Sequence, residues 1–243
     1  MAGKRSVNNA VKGMTIEQEP LFSAQNFARL QSIMQMKAVK AGHNLFGEGD
    51  AADKLYYIKQ GQVRITKAAD NGRILTLYQH VRGDMFGQID PFRDSVHAFN
   101  AVVMEEGEIG IMKQKDLEEL LMQHGDLAIE FMKWMGLMHR MTQMKLRDLM
   151  MFGKSGALCS LLIRLSNTYG EHRDGSLFLP LNMTHSEMAD MVGTTRESVN
   201  RMLNEMKKEG IIAIQDGYIL IHNLDYLRER CHCECCPQEI CRM

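Results

Sequence analysis

Apolar and polar positions along this 243-residue chain change period twice. From Asn44 to about Ile111, short alternating runs, "LYYIK", "VRIT" and "RILTLYQHV", are separated by Gln60-Gly61, Asp70-Asn71-Gly72 and Arg82-Gly83-Asp84. A period of two punctuated by turn residues predicts an all-β barrel or roll. From Lys115 to Met150 there is no Pro and one helical break, at His124-Gly125. Within this segment Leu127, Phe131, Trp134, Met138 and Met141 advance by alternate steps of four and three residues, the spacing of a coiled-coil seam. A stripe that long needs a partner surface. It is met either by the chain's own β-domain or by a second copy in a parallel homodimer, and the heptad step favours the dimer. Lys145 and Asp148 continue the step with charge, so those two residues face something else.

Beyond Phe152 the pattern changes again. "SGALCSLLIRLSNTYG" is an amphipathic helix closed by Gly, with Cys159 as a small core residue. "THSEMADMVGTTRESVNRMLNEMKKEG" contains two helix starts, Thr184 with Glu187 and Thr194 with Glu197, each three residues apart as in a capping box. Val192-Gly193 lies between them, where a helix-turn-helix has its turn. "IIAIQDGYILI" then reads as a hairpin through Asp216-Gly217, a wing. The fold class expected is α+β. Its parts are a polar segment (1–22), a β-roll (23–115), a long dimerisation helix (116–150), a winged helix-turn-helix (151–229) and a cysteine-rich tail (230–243).

On the second helix of the pair, Val199, Met202, Leu203 and Met206 form an inward stripe, which leaves Arg196, Glu197, Asn200 and Arg201 on the opposite face. Arg donates in a fork to guanine O6 and N7, and Glu accepts from cytosine N4, so this face suits G·C-containing half-sites in double-stranded DNA. Thr194 and Thr195 stand at the helix start, where hydroxyl and backbone N–H groups meet phosphates. A formal net charge of −1 gives no global attraction to nucleic acid, so the contact must be a local patch. The start of the chain has no apolar run behind its basic residues and no eighteen apolar residues are consecutive, so a cytoplasmic protein without a membrane partner is expected. No Ser/His/Asp arrangement, phosphate-cradling Gly loop or paired-carboxylate signature suggests an enzyme; only a Cys-x2-Cys thiol oxidoreductase stays open on that side.

Five of the six cysteines fall in the closing "CHCECCPQEICRM". In a reducing compartment clustered thiols point to metal or redox chemistry rather than to structural disulfides. Cys233-x2-Cys236-x4-Cys241 is an iron–sulfur spacing. The same residues with Cys231 or His232 suit zinc, and Cys233-x2-Cys236 alone suits a dithiol switch. Spacing by itself leaves these open.

The chain from the β-roll through the long helix to "THSEMADMVGTTRESVNRML" resembles the CRP/FNR family of bacterial transcription regulators. The resemblance implies a homodimer that binds a DNA palindrome and works with RNA polymerase. It places Arg196, Glu197 and Arg201 at the base-reading positions of the cyclic-AMP receptor branch, with Asn200 where the enterobacterial FNR branch has Ser, and so implies a TGTGA-N6-TCACA-like target. Cyclic nucleotide is the default ligand of such a roll. In "GDMFGQIDPFRDSVHAFNAVV", however, Gln88 replaces the acid for the ribose and Ala98 the Arg for the phosphate, and Arg93 or His97 is a poor substitute, so no nucleotide is expected. The tail is most similar to the branch found in Bacillus and related Gram-positive bacteria. That similarity implies one oxygen-labile [4Fe–4S] cluster per chain on Cys233, Cys236 and Cys241 with Asp148 as fourth ligand, leaving Cys231 and Cys235 as spare thiols, and a role in anaerobic gene regulation.

Overall fold

A computed structural model describes residues 21–88, 95–173, 175–234 and 236–243. After α1 (Ala24–Ser32), strands β1 (Gln35–Val39), β2 (Asn44–Phe46), β3 (Lys54–Ala68), β4 (Ile74–His80), β5 (Met85–Gly87) and β6 (Asn100–Lys113) form one antiparallel sheet. Long β3 and β6 are its spine, with β1 beside β6 and β4 beside β3. The alternation read from the sequence is the alternation of burial: Ile58, Val63, Ile65, Val103 and Ile109 point into a closed interior. At the β3–β6 crossing, Gly107 meets the Gln60 carbonyl oxygen so closely that an added Cβ would stand 1.9 Å from it, so only Gly fits there.

Helix α2 (Gln114–Gln123) ends at His124, and α3 (Gly125–Tyr169) follows, broken at Gly153 (φ 58, ψ −163). The stripe expected as a dimer seam proves to face the chain's own roll. Leu127, Phe131 and Trp134 pack with Phe22, Leu30, Leu55, Met85, Met112 and Leu117, Met138 lies against the same cluster, and Met141 is 1% exposed. The step of three and four is satisfied equally by an intrachain core, and the aromatic pair Phe131–Trp134, with ring centroids 5.0 Å apart, went to the deeper site. Removing the Leu127 side chain is expected to cost about 2–5 kcal/mol in urea unfolding, as for a leucine truncated in a closed core. A second stripe on α3 is left open: Ile129, Met132, Met135, Leu146, Leu149 and Met150 are 40–75% exposed.

Strands β7 (Glu171–Arg173) and β8 (Ser176–Leu179) lead to α4 (His185–Val192), α5 (Arg196–Lys208), β9 (Ile212–Gln215), β10 (Tyr218–Ile221) and α6 (Leu224–Arg230). The Thr184/Glu187 capping box is present in both directions. Gly193 takes the left-handed conformation that closes α4 and turns the chain. The wing is β9–β10 with Asp216 (φ 51) and Gly217 (φ 84) at its tip, the pair of positive φ values that a two-residue hairpin requires. The second core joins Leu158, Cys159, Leu162 and Leu165 of α3 to Met188, Val199, Leu203 and Ile219. By length and composition α3 could cross a membrane, but its inward apolar residues line two protein cores and it breaks between them at Gly153.

Candidate functional site

Two sites stand on this frame. The first is α5. Val199, Met202, Leu203 and Met206 are buried, and Arg196, Glu197, Asn200 and Arg201 are all exposed on the outer face, as their spacing requires. The helix start lies one residue later than the sequence suggested. Thr195, not Thr194, is the N-cap, and its hydroxyl accepts from Ser198 N at 3.2 Å. Thr194 is 8% exposed and its Oγ1 is enclosed, so its side chain is turned away from the outer face of α5. Two adjacent Thr residues offer two registers, and the one that keeps Val199 inside wins. Glu197 lies in the first turn, where N–H groups and the Thr195 hydroxyl hold its carboxyl below the usual range.

The second site is where the tail meets α3. Helix α6 ends at Cys231, whose Sγ lies 3.7 Å from Arg228 O. His232 takes φ 45 and stacks on Phe152, 4.8 Å between centroids, beside the Gly153 break. The chain then turns through Pro237, whose carbonyl accepts from Ile240 N (3.0 Å) and Cys241 N (3.1 Å). Cys241 and Cys231 are buried, and Cys233 and Cys236 are half-buried against the winged-helix core. Burial pushes the Cys241 thiol up to about 12, opposed by the Arg164 charge and reinforced by neighbouring Cys236 and Cys233. Burial likewise raises Cys231 to about 12, with Cys233 and Asp148 adding to it. Cys231, Cys233, Cys236 and Cys241 thus share one packed core. Cys235 lies outside the described residues.

Asp148 is 3% exposed. Its Oδ1 accepts from Arg147 Nη2 at 2.8 Å, and its Oδ2 accepts from Arg164 Nη2 at 3.1 Å and from Ser160 Oγ. Arg164, itself buried, also donates to Ile240 O at 3.1 Å, one residue before Cys241. One guanidinium therefore touches both the helix carboxylate and the cysteine loop. Arg147 repeats the pattern from the other side, with Nη1 2.7 Å from Glu234 Oε1. Lys145 continues the inward stripe, donates to Leu77 O at 2.8 Å and lies 4.2 Å over the Tyr78 ring. Burial, with Arg164 and Arg242 nearby, pulls it down to about 7. The sequence offers Arg147 or Lys145 as partners of Asp148, and Arg147 is one; Arg164 was missed, though its signal was a charge inside the apolar run "SLLIRLSN", which must find a partner.

Does this donor set fit a cluster? Among the described residues no group of three or more His, Cys, Asp or Glu side chains is drawn around a single ion position. Zinc gathers four donors within about 2.0–2.3 Å of one ion, whereas a cluster takes one ligand at each iron corner and spreads them. Thiols in one core, with a buried carboxylate tied through Arg164 to their loop, are donors of the type a cluster takes. Asp148 would have to leave Arg147 or Arg164 to ligate.

In the β-roll a cavity of about 330 Å³ lies between Phe46, Tyr78, Phe86 and Phe99 of the roll and Trp134 and Met138 of α3. Among the described residues lining it there is no Arg or Lys. Gln88 is engaged with His97 Nδ1 at 3.1 Å, His97 stacks on Phe46, and Ala98 is exposed. Arg93 lies outside the described residues.

Residues 156–230 match the Crp-like helix-turn-helix domain family, and residues 36–124 match the cyclic nucleotide-binding domain family. The chain is 40% identical over 225 residues to the anaerobic regulatory protein of Bacillus subtilis, covering 92% of this chain and 94% of that one. The chain belongs to the CRP/FNR family. It is also 27% identical to the CRP-like cAMP-activated global transcriptional regulator of Mycobacterium tuberculosis, over 84% of this chain and 91% of that protein. Among solved structures, a CooA mutant from Carboxydothermus hydrogenoformans superposes with a TM-score of 0.71 at 20% identity, over 83% of this chain and 89% of that one. The family fixes the class: a DNA-binding transcription regulator, not an enzyme.

Proposed function

We propose that the protein is an oxygen-responsive homodimeric regulator that reads a TGTGA-N6-TCACA-like palindrome while a [4Fe–4S] cluster is held by Cys233, Cys236, Cys241 and Asp148. The observation that carries the reading is Arg164, which joins Asp148 to the carbonyl preceding Cys241 and so brings the two halves of the ligand set together beside the Gly153 break. The relative from Bacillus subtilis named an anaerobic regulatory protein supports the physiological direction. When bound, the cluster supplies an oxidisable iron centre. The protein's part is to keep the thiols packed against the winged-helix core and the carboxylate at the end of the dimer helix. Both the tail and Asp148 lie next to the hinge, so their separation bears on how the two recognition helices are spaced. Half-sites one helical turn apart tolerate little misplacement.

The open stripe on α3 supports the dimer. Ile129, Met132, Gly136, His139, Gln143, Leu146 and Met150 step alternately by three and four, parallel to the seam first expected but on the outer face. Met132→Glu with Leu146→Glu is expected to convert the protein to monomers in sedimentation velocity without lowering its urea midpoint, since both side chains are more than half exposed. The cavity lining supports a roll that takes no cyclic phosphate, because a fixed cation is missing from its described walls. We infer that the protein works in the cytoplasm, with RNA polymerase as a partner.

The test is iron, acid-labile sulfide and zinc per chain after purification without oxygen, with Cys233→Ser in parallel. About four iron and four sulfide, lost in the variant, are expected. One zinc with no sulfide would overturn the cluster and leave the tail as a structural clip.

A further inference from the structure

Beyond the cysteines, the tail makes a contact that metal ligation does not require. Arg242 crosses to the β-roll and puts Nη2 2.8 Å from Asp84 Oδ1, with the two side chains 11% and 6% exposed. Asp84 is held in turn: its Oδ2 accepts from Val81 N at 3.0 Å and lies 3.5 Å from His80 Nδ1. His80 stacks between Tyr78 and Phe86 on the cavity wall. Burial works against the Asp84 charge, but the His80 hydrogen bond and Arg242 together keep its carboxyl below the ordinary range.

On the other side, Arg242 follows Cys241 directly, and the flanking backbone is pinned to α3 beyond the Gly153 break. Asn167 Nδ2 donates to Cys241 O at 2.6 Å, and Met243 N donates to Thr168 Oγ1 at 3.0 Å. Other polar links between the roll and the chain beyond Gly153 are long: Arg64 Nη2 to Glu187 Oε1 is 3.5 Å, and Gln79 Nε2 to the Tyr169 hydroxyl is 3.4 Å. Among the described residues, Arg242–Asp84 is the short, buried ion pair of that boundary.

We propose that Arg242–Asp84 is a latch by which the cysteine tail holds the winged helix against β4 of the roll, so that ligation or release of the Cys241 sulfur is passed to the roll at Asp84 and changes how firmly the two units are joined. The holding function stands on the ion pair alone; the coupling rests on Cys241 being a cluster ligand. Removing one partner would strand a buried charge and weaken the fold itself. Arg242→Met combined with Asp84→Asn removes both charges at nearly the same volume, and the amide oxygen keeps an acceptor for Val81 N, so the protein stays folded for the measurement.

The measurement is hydrogen exchange by mass spectrometry on the full-length protein, cluster-free and iron–sulfur-loaded under nitrogen. In the double variant, exchange over 74–80 and 185–193 is expected to rise by about tenfold or more, while the β3–β6 spine is unchanged, as for a local opening. Unchanged exchange in both segments would overturn the latch. In the wild type, loading is expected to alter exchange over 80–84, and this response is expected to vanish in the double variant. A loaded wild type with no change over 80–84 would overturn the coupling. A protein that takes up no iron would overturn the cluster reading and leave the exchange test of the latch standing.

Discussion

Asp148→Ala is expected to lower the stability of the metal-free protein by about 3–5 kcal/mol, the cost of breaking a buried ion pair by removing one partner. The carboxylate side chain is 4% exposed and that of Arg164 is 5% exposed, so the guanidinium would be left with only Ser160 Oγ and Ile240 O as acceptors in a space that excludes water. The pair with Arg147 is worth less, because that side chain is 19% exposed and screened by solvent. Urea unfolding with Asp148→Asn alongside checks this, since the amide keeps an acceptor for Ser160 and Arg164 and should lose less. A cost below about 1 kcal/mol for Asp148→Ala would mean that the pair is solvated and that Asp148 does not hold the tail. Cys233→Ser is expected to have almost no effect on the metal-free fold because Cys233 is half-buried at the rim, so this variant separates metal binding from stability.

Arg196→Ala and Arg201→Ala should each reduce affinity for a TGTGA-type duplex by about 1–3 kcal/mol, roughly 5- to 150-fold, and relax discrimination at one base position. Both side chains are exposed on a helix whose buried face is complete without them, so neither change should move the unfolding midpoint. Titration of wild-type and variant protein against the duplex and a scrambled control at fixed salt measures this. Equal losses on both duplexes would make the two residues phosphate contacts rather than base readers.

Much of this arrangement was legible because local rules and tertiary needs agree. The roll, the Thr184/Glu187 box, the Gly193 turn and the wing each follow from a period or a turn residue that has a single low-energy solution. The long helix was not legible in the same way. It carries two apolar stripes at the same step, and nothing local says that Leu127, Phe131 and Trp134 turn inward while Ile129, Met132 and Leu146 stay outside. Only the shape of the roll decides that. The first turn of α5 failed for a smaller reason, two Thr residues in succession. The tail thiols were visible from spacing, and Arg147 stands next to Asp148 in the chain, but Arg164 and Arg242 were not legible: they pair with residues far away in sequence, and periodicity carries no information about such pairs.

The central claim is that the state of the tail governs recognition of DNA by α5. Its most direct test is fluorescence anisotropy of one duplex bearing TGTGA-N6-TCACA, titrated with a single preparation before and after brief exposure to air, with iron and sulfide assayed at both points. Loss of the cluster is expected to weaken binding to this duplex by about tenfold or more while binding to a scrambled duplex stays the same, as when half-site spacing is disturbed and phosphate contacts are not. Equal affinity for the specific duplex before and after the cluster is lost would contradict the account.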